Sequence, residues 1–170
     1  MSSVQLEKIY KAILKIGRFP KQKRYNIRNN PDVAPRGAVF GLIKLRQVNA
    51  SVKDIDVYPS KLSFYPKYTE LYRLLEELMW DYNPSFKFTS IQVNDNQLCA
   101  KHKDANNVGE SYIIGVGEYE GGELRVWNEA GTKYEDIDIH NKFISFDGSK
   151  RFHQTLPFKG NRYTIVYYIQ

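Results

Sequence analysis

From Pro84 onward the apolar residues of this chain stop recurring every three or four positions and begin to alternate with polar ones. The alternation starts at Phe86-Lys87-Phe88-Thr89-Ser90-Ile91-Gln92-Val93 and pauses at the turn-forming Asn94-Asp95-Asn96. Further short runs cover residues 97–101, 111–116, 123–127, 134–139, 142–146 and 163–169. Gly121-Gly122, Gly131, His140-Asn141, Asp147-Gly148 and Gly160-Asn161 punctuate them. Side chains of period two place one face of each strand in a core. Short strands joined by turns, with no helix between them, predict a double-sheet jelly roll or barrel.

The first half reads differently. Val4, Leu6, Ile9, Ile13, Leu14 and Ile16 recur at helical spacing with Lys8, Lys11 and Lys15 between them. They predict an amphipathic helix over 3–16, stopped by Gly17 and Pro20. A second helix is predicted over 68–82, with Leu71, Leu74, Leu75, Leu78 and Met79 in one stripe and Asn83-Pro84 at its end. Residues 38–43 make a short apolar strand, and 21–36 are polar and basic, with turn signals at Asn29-Asn30-Pro31 and Pro35. The two helices brace one outer face of the sheet pair. The expectation is a single domain of the α+β class, mainly β, over 1–170: a helical and basic part over 1–84 and a β core over 85–170.

Composition narrows the class. At 42% hydrophobic and 26% charged the chain is globular rather than disordered. A single cysteine, Cys99, excludes an internal disulfide framework and a cysteine-based structural zinc site. No apolar run approaches the roughly 20 residues that span a bilayer, and the N-terminus lacks a signal-peptide apolar region. A soluble intracellular protein, cytoplasmic or nuclear and not membrane-bound, is expected. The net charge of +6 is unevenly placed. Up to Arg46 there are eleven Lys or Arg against Glu7 and Asp32, a balance of +9, so the remaining 124 residues carry −3. Such a leading segment reads either as a polyanion-binding face or as a merely solvated one.

Ala100-Lys101-His102-Lys103-Asp104 carries the first chemical signal. Side chains two apart on a strand share a face, so His102 and Asp104 can share one cation while Lys101 and Lys103 look away. Alone, the pair reads equally as an ordinary surface triplet. Of the other two histidines, His140 lies in the polar turn His140-Asn141, an ordinary exposed position. His153, in Phe152-His153-Gln154-Thr155-Leu156-Pro157, opens the last strand pair. Two His and one carboxylate form the facial triad of non-haem Fe(II) oxygenases. Arg162 follows nine positions after His153 and shares a strand face with Thr164. A guanidinium facing a barrel interior requires a carboxylate partner, and no acid close in sequence supplies one. A dicarboxylate such as 2-oxoglutarate would, gripped at one end by Arg162 and Thr164 and free at the other to chelate iron.

His102-x-Asp104, then His153, then Arg162-x-Thr164 resembles the Fe(II)/2-oxoglutarate dioxygenase superfamily across roughly the second half of the chain. Gly121-Gly122-Glu123-Leu124 is similar to the Gly-Gly-x-Leu turn between the metal-binding segments of those enzymes. His102-Lys103-Asp104-Ala105-Asn106-Asn107 resembles the His-x-Asp-x-x-Asn stretch of the TET/JBP group, which oxidises the 5-methyl of pyrimidines in DNA. With Cys99 alone these residues depart from the cysteine-rich zinc region of the TET enzymes, and none of them is expected to form the separate DNA-binding domain of the JBP proteins.

The resemblance implies a double-stranded β-helix (jelly roll) core and a dioxygenase using Fe(II), 2-oxoglutarate and O2. His102, Asp104 and His153 would be metal ligands, Arg162 and Thr164 would hold the cosubstrate, and Asn107 would contact the base. Asn94 or Gln92, on the preceding strand, would touch the keto acid or orient a ligand histidine. The expected substrate is 5-methylcytosine or thymine in DNA, met by the basic segment through Lys21, Lys23, Arg24 and Arg28. A hydroxylase of a protein side chain or small molecule is the alternative. A jelly-roll binding module without catalysis would have no need of all four residues, triad and arginine.

Overall fold

Two antiparallel sheets form the body of a computed structural model that describes residues 1–44 and 57–170. Arg46 of the basic leading segment lies outside the described residues. The strands are β1 (Gly37–Lys44), β2 (Val57–Pro59), β3 (Ser90–Asp95), β4 (Ser111–Gly121), β5 (Leu124–Trp127), β6 (Tyr134–Ile137), β7 (Ile144–Phe146), β8 (His153–Thr155) and β9 (Phe158–Tyr168). The larger sheet runs β2-β1-β3-β9-β4-β7, and the smaller runs β6-β5-β8. This is the jelly-roll arrangement, mainly β, with the sheets left open at their edges.

Helix α1 (Ser3–Ile16) begins where the Ser2 side chain accepts from Gln5 N at 3.2 Å, and ends at Gly17, whose N–H reaches Ile13 O and Leu14 O. It buries Leu6, Ile9, Ala12, Ile13 and Ile16, whereas Val4 and Leu14 stay exposed despite belonging to the periodic set. Helix α2 (Thr69–Tyr82) buries Leu71, Leu74, Leu75, Leu78 and Met79. Both lie on the outer face of the large sheet. There the odd-numbered Ile91 and Val93 of β3 and Tyr163, Ile165 and Tyr167 of β9 join Ile114 and Val116 of β4 in one core. The opposite face of the same strands presents Gln92, Asn94, Arg162 and Thr164 to the space between the sheets. Ile113, Leu124, Val126, Ile139 and Phe146 form a second, smaller core there. Period two on β3 and β9 therefore sorts an apolar exterior from a polar interior.

Three expectations are corrected. Residues 86–89 precede β3 without joining it. Residues 97–101 form no ladder: Ala100 N donates to Ile27 O at 2.8 Å, while Thr155 N reaches back to Cys99 O at 3.0 Å. The hydrogen bonds are thus divided between two neighbours, and a regular strand cannot form. Gly160-Asn161 is not a turn. Strand β9 runs straight through it, with Gly160 at φ +105° and its α-carbon against Glu118 O, a fit that a side chain would break.

Candidate active site

His102 and His153 face each other across an isolated antiparallel bridge, their backbones joined by two hydrogen bonds of 3.0 Å. Both rings are buried and turned inward. His102 Nδ1 lies 2.6 Å from Ala100 O and His153 Nδ1 lies 3.0 Å from Arg151 O. A carbonyl accepts only, so each Nδ1 donates to it and Nε2 is the ring nitrogen that each histidine turns toward the cluster. The two Nε2 atoms converge on Asp104, 3.4 Å and 3.2 Å from its two carboxylate oxygens. Donors about 2.1 Å from one ion and at right angles to each other lie about 3 Å apart, so the three side chains suit one octahedral face. They form the one such cluster among the described residues, all ligand atoms lying within 4.8 Å of one another.

Burial works to raise the Asp104 carboxyl, but the hydrogen bonds and charge offered by His102 and His153 outweigh it. The carboxyl is held well below the usual carboxylate range, ionised as a ligand must be. Gly148 closes the site from below: its carbonyl accepts from Asp104 N at 2.8 Å, and a side chain there would sit 3.2 Å from Asp104 Oδ2.

A cavity of about 40 Å³ adjoins this cluster, with Asn94, Arg162 and Thr164 in its lining beside His102, Asp104 and His153. Arg162 is 2% exposed. Its Nε and Nη2 donate to Gly122 O at 3.2 and 2.8 Å, and its guanidinium lies 5.6 Å from the Tyr119 ring and 5.4 Å from that of Phe158. It forms no ion pair among the described residues, and burial lowers its pKa. Gly122, at φ +70°, is what lets the arginine sit here, since a Cβ would meet Arg162 Nε at 2.6 Å. The Gly121-Gly122 turn between β4 and β5 is therefore the seat of the cation. Nearby, the Tyr119 hydroxyl is buried without a hydrogen-bond partner. A buried cation without a carboxylate and an orphaned phenol beside it are what an anionic ligand would satisfy.

Asn94 does not touch the histidines. Its Nδ2 donates to Thr164 Oγ1 at 2.9 Å and its Oδ1 accepts from Arg24 Nη1 at 2.6 Å. Gln92 pairs with Gln22 through a bond of 2.9 Å, so His102 and His153 are oriented by backbone carbonyls instead. His140 is apart from the cluster, half-buried against Tyr119 and bonded to Gly117 O.

Outside the cavity lies an open cleft of about 700 Å³, and Arg24, Asp104 and Val166 line both volumes. Lys23, Lys44 and Lys103 lie along the cleft, and Asn107 is on its wall, donating to Ser111 Oγ at 3.3 Å. Asp104 is the only acid among the described residues that line the cleft. The basic segment is thus divided. Lys23 faces the cleft and Arg24 turns inward, while Lys21 bridges to Arg36 and Arg28 bonds Pro31 O within its own loop. Gly122, Tyr119 and the inward turn of Arg24 were not foreseen from sequence. The Gly-Gly pair was the one visible signal, and its role as a seat for Arg162 needed the contact itself.

No protein-family model and no curated protein matches the sequence. Solved structures do. An oxidoreductase of the 2OG-Fe(II) oxygenase family from Burkholderia pseudomallei is 15% identical at a TM-score of 0.57, covering 95% of this chain and 77% of its own. A prolyl hydroxylase in complex with a hypoxia inducible factor peptide, from Trichoplax adhaerens, is 13% identical at 0.60, covering 99% and 80%. NgTET1 in complex with 5mC DNA is 13% identical at 0.60, covering 100% and 69%. The chain has the fold of the 2OG-Fe(II) oxygenases, and the TET structure is one of several that share it. No helix among the described residues is long and apolar enough to cross a membrane.

Proposed function

We propose that residues 1–170 act as one Fe(II)- and 2-oxoglutarate-dependent dioxygenase domain that oxidises the 5-methyl group of a pyrimidine base in DNA. The observation that carries this reading is the cleft lined by lysines that opens onto Asp104. Prolyl hydroxylases and a TET enzyme share the fold about equally, so the fold leaves the substrate open, and the charge of the approach argues for a polyanion.

His102, Asp104 and His153 would hold the ion, which when bound supplies the redox chemistry coupling loss of CO2 from the keto acid to C–H oxidation. Arg162 would take the distal carboxylate of 2-oxoglutarate with its unused donors, Thr164 adding a hydroxyl held in place by Asn94. Arg24, Asp104 and Val166 separate cavity from cleft, so the room a five-carbon diacid needs beyond 40 Å³ would come from the cleft side. Asn107 lies three residues from Asp104, in reach of a base extruded into the cleft. The phosphate contacts would come from Lys23 and Lys44 rather than from the whole run Lys21 to Arg28.

The test incubates the protein with Fe(II), 2-oxoglutarate and an oligonucleotide containing 5-methylcytosine. Succinate release and mass spectrometry of the digested nucleosides are then followed. One oxygen added to the methylated base, at a rate lowered by Asn107→Ala, is the expected result. The Lys23→Ala/Lys44→Ala pair should weaken binding uniformly across sequences and flatten its salt dependence. Succinate released with a peptide or small molecule but never with nucleic acid would give the hydroxylase alternative instead.

A further inference from the structure

The strands that hold the triad have a second face. In the register of the His102–His153 bridge, and of the β5–β8 pairs Arg125–Gln154 and Val126–His153, the histidines point inward. Lys101, Lys103, Phe152, Arg125 and Trp127 then point outward. On that face Lys101 Nζ lies 4.1 Å from the centre of the Trp127 ring and 5.0 Å from that of Phe152, and Lys103 Nζ lies 4.5 Å from Phe152. Neither lysine forms an ion pair among the described residues. Arg125, by contrast, is committed to Asp136 by two bonds of 2.7 and 2.9 Å. Lys103 also lines the cleft, so the outer face and the cleft are continuous through one side chain.

We infer that this outer face is a backbone-binding track for the nucleic-acid strand that carries the target base, running from the cleft across Lys103 to Lys101. The inference rests on the nucleic-acid reading above. A strand held by Lys23 and Lys44 with one base at Asp104 has to leave the cleft, and at Lys103 the cleft lysine continues onto Lys101, which pairs with no acid among the described residues. The rings favour this use. An ammonium resting on an aromatic face is already confined, so little side-chain freedom remains to be lost when a phosphate arrives. A polyanion also needs no shape complementarity on so open a surface, only cations in series.

The experiment uses Lys101→Gln in the full chain, which keeps much of the stem over Trp127 and removes the charge, together with Lys101→Glu. Lys101 lies outside the cleft lining, so its effect reports the outer face alone. Binding of a fluorescein-labelled single-stranded oligonucleotide containing 5-methylcytosine is measured by anisotropy across a salt series. Without the Lys101 charge on a phosphate, the slope of log affinity against log salt should become shallower by about 0.7, with roughly five-fold weaker binding near 0.1 M salt. Lys101→Glu should weaken it further. An unchanged affinity and slope in both variants, while Lys23→Ala/Lys44→Ala lowers both, overturns the track and leaves the cleft reading standing. That is also the result if the face serves an acidic protein segment. No change in any of these variants overturns the track and the nucleic-acid substrate together.

Discussion

Arg162 is the residue on which the proposed chemistry of the cavity turns. It is buried, it is charged, and its nearest acceptor is the carbonyl of Gly122 rather than a carboxylate. Its replacement by Ala should leave divalent metal binding intact and weaken 2-oxoglutarate by about 3–5 kcal/mol, or two to three decades and more, because the buried carboxylate loses its charged partner. Arg162→Lys should restore only part, since an ammonium cannot reproduce the fork. Gly122→Ala should behave as a milder Arg162 variant, its methyl displacing the guanidinium from its seat. Titration calorimetry of 2-oxoglutarate onto the metal-loaded protein checks all three. Equal affinity in wild type and Arg162→Ala would remove the role. The sequence made this residue visible through what it lacked, an acid nearby to pair with. The Gly122 contact, 40 positions away, was out of reach of any local pattern.

At the scale of elements, β9 does two jobs with alternate residues. Tyr163, Ile165 and Tyr167 join the helix-covered core, while Arg162, Thr164 and Val166 line the cavity. The Tyr167 hydroxyl donates to Leu75 O at 2.6 Å, so α2 is fastened to the strand that carries Arg162 and Thr164. Leu75 itself is fully buried. Leu75→Ala should cost about 2–5 kcal/mol of stability, read from the denaturant midpoint. The 2-oxoglutarate affinity of the folded protein should stay close to wild type, since the cavity face of β9 is untouched. A large affinity loss at full folding would mean that the two faces are coupled. Both helices followed from their apolar spacing to within a residue, because each buries a single stripe against one sheet face. Strand limits did not. Gly160, with a positive φ, lets β9 continue where a glycine next to an asparagine reads as a turn, and 97–101 gives its hydrogen bonds to two different partners.

Across the whole molecule, a metal tying the segment between β3 and β4 to β8 should be felt as stability. Asp104 and His102 approach β8 of the small sheet, while Gly148 closes the site from the loop before it. A divalent first-row cation at 100 times its dissociation constant should add about 2.7 kcal/mol and raise Tm by roughly 5–10 °C. The rise should persist in His140→Ala and vanish in His102→Ala, Asp104→Ala and His153→Ala, as followed by differential scanning calorimetry. A rise retained in His153→Ala and lost in His140→Ala would reassign the third ligand. Local spacing along the chain was enough for the two helices, the period-two strands, the shared face of His102 and Asp104, and that of Arg162 and Thr164. Backbone geometry alone fixes which neighbours point together. Strand pairing and the close approach of distant segments supplied the rest, and both exist only in the folded chain. His153 rather than His140 meets the pair because a bridge sets it opposite His102. Arg24 turns inward to Asn94 while Lys23 faces the cleft, and Gly122 leaves the space that Arg162 fills. These are matters of register and packing, which a run of residues read along the chain does not contain.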